Sequence, residues 1–285
     1  MFRTVLALAM LTLGSACAQV PKPELQAYSA AFEATRSAAE PMLADYAVAE
    51  RGVRLDVMET DPDRHFDGFF PTFDPGDAAA LTTVSLPPGA AAIDRSFNAI
   101  KAYNDTLVAL AENRNIDEAR GQVGVIIDNL GGIAPPLAGA APAVKPVADL
   151  LITALSPAIQ ADNRAQFKRI VLDGEPHVQA LIDTLRDYTP TQYSITTTAL
   201  RKKARLDPPP PDRDATVARI NAWQKAFADY VALLDAMKQR LSDLREAVEN
   251  PRSEPLLQRA AAGSAELRSF ADALRLSLAQ VRAQP

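Results

Sequence analysis

Residues 214–249 read DATVARINAWQKAFADYVALLDAMKQRLSDLREAVE. Ile220, Trp223, Phe227, Tyr230, Leu234, Met237, Leu241, Leu244 and Val248 recur at alternating spacings of three and four, while the residues between them are mostly Ala, Lys, Arg, Asp, Gln and Glu. That pattern is one apolar face of an amphipathic helix, roughly 54 Å long at 1.5 Å per residue. Asp212 and Asp214 stand where an N-cap and N-terminal negative charge favour a start, and Asn250-Pro251 stops propagation. A seven-residue repeat drifts against the 3.6-residue turn, so partner helices wrap around it with a shallow left-handed supercoil. Trp223, Phe227 and Tyr230 read as part of this seam, and the competing reading is an aromatic wall of a ligand cleft.

The same spacing recurs along the chain. Leu25, Tyr28, Phe32, Thr35, Ala39, Met42, Tyr46, Ala49 and Val53 predict a second long helix, with a kink near Pro41 because proline removes one backbone donor. Ile93, Phe97, Ile100, Asn104 and Leu107 predict a helix over 90–113, and Asn115 with Glu118 a capped start for another that ends at Gly131-Gly132. Pro146 opens a tract through Val147, Leu150, Leu151, Ala154 and Leu155, then Phe167, Ile170 and Val171, with expected kinks at Pro157 and at Gly174 to Pro176. Val178, Leu181, Leu185 and Tyr188 resume the face, and residues 189–207 read as a separate short helix with Pro190 in its first turn. Leu256, Ala260, Gly263, Leu267, Phe270, Leu274 and Val281 form a last stripe, joined to 214–249 by so short a turn that the two must be antiparallel. Small Ala260 and Gly263 are expected to let the two backbones approach. The fold class is therefore all-α: an elongated antiparallel helical bundle with heptad-like seams, one domain over 22–285.

Three segments depart from the helical period. Residues 54–89 form an irregular insertion rich in Pro, Gly and Asp, where the alternation of Val53, Leu55 and Val57 and of Thr82, Val84 and Leu86 allows a short β-pair. Four of the ten phenylalanines, Phe66, Phe69, Phe70 and Phe73, fall within eight residues of it. They either cap one end of the bundle or bind a partner. Residues 123–159 form an apolar connector with Asp128, Lys145 and Asp149 as its charges. Pro and Gly break it well below the ~20 residues that a membrane span needs, although contact with lipid is an alternative. Residues 207–213 form a proline-rich linker, preceded by the basic cluster Arg201, Lys202, Lys203 and Arg205, which is either a solvated helix end or a surface for an acidic partner or anionic headgroups.

The chain has 285 residues, of which 48% are hydrophobic and 6% aromatic, and a formal charge of -5. Ample apolar material with few aromatics suits helices packed over small residues, and the acidic balance excludes a general nucleic-acid binder. The first eighteen residues read as an export signal: Arg3, an apolar run from Val5 to Leu13, then small residues. Leu13-Gly14-Ser15-Ala16-Cys17 resembles the lipobox of bacterial lipoproteins, with Gly14 where Leu is usual, and Cys17 is the one cysteine of the chain. The resemblance implies lipidation of Cys17 and a periplasm-facing, membrane-tethered location. Ala16-Cys17-Ala18 alternatively fits cleavage to a soluble secreted protein.

The sequence has no Gly-rich phosphate loop, G-x-S-x-G elbow, H-E-x-x-H or cysteine cluster. Both histidines follow alternate acids, in Asp61-x-Asp63-x-His65 and Asp173-x-Glu175-x-His177, a weak hint of a shared metal site given 35 acidic residues. The expectation is thus a lipid-anchored envelope protein acting as a helical binding or scaffolding module on an unknown periplasmic protein, without cofactor, metal or catalytic residues. A membrane-active protein using the 123–159 hairpin is the alternative, and a metal-binding or hydrolytic enzyme the second.

Overall fold

The three-four stripes fold as helices. A computed structural model describes residues 22–60, 66–67, 70–71, 78–112, 149, 163–206 and 211–284. In chain order these form α1 (Lys22–Thr60), β1 (Phe66–Asp67), β2 (Phe70–Pro71), the short α2 (Ala78–Leu81), α3 (Pro88–Ala111), α4 (Asn163–Ala204), α5 (Arg213–Glu249) and α6 (Glu254–Ala283). The five long helices pack as a bundle in which α1 touches α6, α6 touches α5, α5 touches α4, α4 touches α3 and α3 returns to α1. Contacts of α1 with α4 and α5 cross the middle.

Side-chain pairings fix the directions. Gln26 meets Glu112 at one end of the α1–α3 pair while Glu50 meets Gly89 at the other, so these two are antiparallel. Tyr46 meets Tyr188 and Asp56 meets Lys202, so α4 runs parallel to α1. Arg275 reaches the Ala34 carbonyl and Arg282 reaches Asp45, so α6 does too. The core is the set of stripes: Leu25, Tyr28, Phe32, Met42 and Tyr46 of α1, and Trp223, Phe227, Tyr230, Leu234, Met237, Leu241, Leu244 and Val248 of α5, are all buried. Leu233, off the predicted stripe, is buried as well, and Ile220, at the helix end, only half so.

Several boundaries differ from expectation. Helix α1 runs through Pro41 and on to Thr60, so Val53, Leu55 and Val57 are helical and the β-pair with residues 82–86 does not form. Val53 and Val57 are also four residues apart, a helical neighbour spacing, and no proline interrupts the chain between Pro41 and Pro62. Helix α1 thus takes up residues 54–60 of the expected 54–89 insertion, and among the described residues beyond it a ladder pairs Phe66 with Pro71 and Asp67 with Phe70. Likewise α4 is a single helix of 42 residues through Gly174, Pro176 and Pro190, so the separate helix expected over 189–207 is its last third. Packing along three neighbours outweighs the two lost backbone bonds.

In α6 the buried line is Ala260, Gly263, Leu267, Ala271, Leu274, Leu278 and Val281, and Phe270 lies half-buried beside it. Gly263 also has a role other than backbone approach: the Arg240 side chain occupies the space a Cβ would take, on its way to Asp243 at 2.8 Å and Glu266 at 3.5 Å. Asp212 takes the N-cap place of α5, yet its carboxylate accepts from Lys203 instead of capping, which holds that carboxyl below its usual range.

The entry into α3 is capped from another helix. The buried Glu50 carboxylate accepts from the backbone N–H groups of Gly89 and Ala90, each at 2.9 Å, at the positive end of the helix dipole. A Cβ on Gly89 would overlap the Tyr46 hydroxyl, so the approach needs glycine. Tyr46 in turn shares a 2.9 Å hydrogen bond with Tyr188, their rings edge to face at 6.4 Å.

Leu241→Asp places a charge at a fully buried position and is expected to cost at least ~3 kcal/mol by urea unfolding. Phe270→Asp, at the half-buried flank, should cost less than half as much, and Lys238→Ala under ~1 kcal/mol. Equal losses for the three would contradict the buried line described.

Burial pushes the pKa of Tyr28, Tyr46, Tyr103, Tyr188 and Tyr230 above the ordinary tyrosine value. A folded value above the unfolded one, about 10, means stability intact below that pH and lost as pH rises past it. Absorbance titration should therefore show these five ionising together with the loss of helix above about pH 10. Ionisation of all six tyrosines with the helices intact would contradict their burial.

Candidate functional site

One edge of the α4–α5 seam is closed by a ladder of polar pairs. Glu175 meets Arg245 at 2.9 Å, Gln179 donates to Ser242 at 2.7 Å, Lys238 lies 2.6 Å from Asp183, and Arg186 lies 2.8 Å from Asp235. Residues on α4 climb by three or four while their partners on α5 descend by three or four, as facing edge positions of an antiparallel pair must. Most of these pairs are solvated and worth ~0–1 kcal/mol each. Glu175 differs, being buried, and Ser242 and Arg245 supply its partners. Its hydrogen bond is the main cause that holds the Arg245 proton more firmly than usual.

Above Arg186 the same edge opens. Pro190 has no N–H, so the Arg186 carbonyl loses its helical donor, and the ring crowds the backbone below it. By the ladder's offset Val231 stands across from Pro190 on α5 and Ala228 across from Tyr193, where it has too little side chain to fill the gap. The result is a solvent-open cleft of about 440 Å³, in the range of small-ligand sites. Phe227 and the half-buried Tyr193 meet in it edge to face, centroids 5.6 Å apart, with Pro190 and Val231 as further apolar lining. Trp223 packs behind Phe227 at 5.9 Å. Its polar lining is Arg186, Asp187, Thr189 and Gln224.

Local sequence explains this lining. From Thr189 to Leu200 helix α4 carries no charged residue. Thr189 and Thr197 send their hydroxyl protons back to the carbonyls of Leu185 and Tyr193, at 3.2 and 2.8 Å, which leaves their oxygens as acceptors. Beside Tyr46, Gln192 and Tyr230 the interior holds a void of about 10 Å³, too small for any ligand.

The residues singled out from sequence do not converge. Arg201, Lys202, Lys203 and Arg205 lie exposed at the end of α4, where Lys202 pairs with Asp56 of α1 and Lys203 with Asp212. These two bind the bundle's own carboxylates, which accounts for half of the cluster without an outside partner. Phe66 and Phe70 belong to the two-residue ladder, and Phe69 and Phe73 lie outside the described residues, as do Cys17, the 123–159 connector apart from Asp149, and His65. His177 is half-buried on α4, and among the described residues no group of three His, Cys, Asp or Glu is placed to hold a metal ion. No helix among the described residues is long and apolar enough to cross a membrane.

Of the aromatic run, Trp223, Phe227 and Tyr230 are all buried, as the seam reading expects, and Phe227 alone of the three also borders the cleft. Pro190, Tyr193 and Gln224 were not anticipated. The signal for them was the proline inside a charge-free helical stretch. No protein-family model matches the chain, and neither does any curated protein or solved structure.

Replacing Pro190 by Ala restores a donor to the Arg186 carbonyl and is expected to raise stability, by up to ~3 kcal/mol, in urea or thermal unfolding. A loss of stability instead would show that the proline fits its surroundings without cost.

Proposed function

We propose that the protein is an exported envelope protein, tethered by a lipid on Cys17 and facing the periplasm, that works as a helical binding module. The observation that supports binding is the open cleft at Pro190: a concavity with aromatic lining on a bundle whose other polar side chains mostly hold helices to one another. The lipobox-like run supports the tether.

The two features are compatible in reach. Cys17 precedes Lys22 by five residues, a tether of at most ~18 Å. The level of the cleft is marked by the contact of Tyr188 with Tyr46, twenty-four residues along α1 from Lys22 or ~36 Å. With the bundle upright on such a tether, the cleft stands clear of the headgroups and its partner is a component of the periplasmic space. The basic turn at Lys202, level with Asp56, stands farther still, at ~51 Å along α1, which disfavours its reading the anchoring leaflet.

Cys17→Ser is expected to move the protein from the membrane to the soluble periplasmic fraction, with loss of acyl mass from the N-terminal peptide. Unmodified Cys17 in the wild type would overturn the tether and leave a soluble periplasmic binding module. A photo-crosslinking residue at Gln224 in cells should yield a defined adduct that is absent when the same residue is placed at the solvated Glu249.

A further inference from the structure

We propose that the cleft at Pro190 binds a neutral, polyhydroxylated ligand, a saccharide chain of the glycan-strand type. This rests on the binding-module reading and names its ligand class.

Charge argues first. The charges beside the cleft are Arg186 and Asp187, and the Arg186 guanidinium is already 2.8 Å from Asp235 and 3.9 Å from Asp187. A cation held between two carboxylates leaves no free anion-binding group. Beyond Asp187, thirteen residues of α4 pass without a charge, and on α5 the lining residues Gln224, Phe227, Ala228 and Val231 are uncharged. An anionic ligand would find no counter-charge held for it.

What the cleft does offer is apolar rings and neutral hydrogen-bonding groups. The half-buried Tyr193, backed edge to face by the buried Phe227, presents aromatic surface beside the exposed Pro190, suited to the C–H face of a pyranose ring. The exposed Gln224 amide supplies both a donor and an acceptor for O–H or amide N–H groups, and the Arg186 carbonyl, which has no helical donor at Pro190, is a further acceptor. An apolar face edged by hydroxyls is the chemistry of a sugar ring. The groove also runs along two helices and is open to solvent, so a chain can pass through it without being enclosed.

Trp223, the single tryptophan of the chain, packs on Phe227 at 5.9 Å and serves as a built-in reporter. The test uses the purified full chain carrying Cys17→Ser, titrated with the β-1,4-linked tetramer of N-acetylglucosamine. A saturable change in Trp223 fluorescence is expected, altered less than about twofold by 0.5 M salt because no ion pair is made. Ala228→Arg, at an exposed position on the rim, should weaken binding at least about tenfold while the far-ultraviolet helix signal is unchanged. Isolated cell-wall sacculi should retain the Cys17→Ser protein and release the variant that adds Ala228→Arg. No fluorescence change at millimolar tetramer with no retention by sacculi, binding abolished by salt, or equal binding by the Ala228→Arg variant would each overturn the proposal. If Gln224 crosslinks to a protein in cells while the saccharide does not bind, the binding module stands and the saccharide falls. If the saccharide binds but Cys17 carries no lipid, the ligand class stands and the tether falls.

Discussion

The antiparallel register between α4 and α5 is the constraint on which the rest depends. It places buried Glu175 within reach of Arg245 and Ser242, so that a charge inside the bundle has its partners. Such a charge left alone would cost several kcal/mol, and a slip of one residue along the seam would strand it. The ladder above it, through Asp183 and Arg186, adds little energy pair by pair. Its effect is on alignment, since every rung agrees on the same offset between the helices.

That alignment lets α4 tolerate its own sequence. Gly174, Pro176 and Pro190 would each weaken an isolated helix, yet α4 continues for 42 residues because α3, α1 and α5 bury its apolar side. At Pro176 the neighbouring Glu175 is pinned to α5, and the helices stay closed. At Pro190 no such pin exists, the small Ala228 stands opposite Tyr193 one turn further along, and the seam opens into the cleft. The same backbone defect thus has opposite consequences, and the difference lies in the side chains opposite.

Other long-range contacts set the ends. Glu50 of α1 caps α3 across the excursion of residues 61–87, so that excursion starts and finishes at one place in the bundle. Arg240 lies over Gly263 and closes the α5–α6 hairpin near its turn. Neither is a local motif, since Glu50 lies 39 residues from Gly89 and the Arg240 side chain crosses between helices.

The sequence by itself determined the helices and the faces they bury, because a period of three and four residues is a property of the single helix and needs no neighbour to be read. Leu25, Phe97, Leu181, Leu241 and Leu274 all lie where that period placed them. It misjudged residues 53–60, where an alternation of Val53, Leu55 and Val57 also fits a helix, and it misjudged where proline or glycine meets strong packing, as at 174–176 and 189–207, since the local penalty is written in the chain and the compensation is not. It also shifted the α6 line onto Phe270, since size favours phenylalanine over Ala271 where geometry favours the smaller residue against α5. Only the tertiary structure decided the cleft, because a cavity is a statement about two helices at once: Pro190 and Tyr193 on one, Ala228 and Phe227 on the other, joined by a register that no single stretch contains.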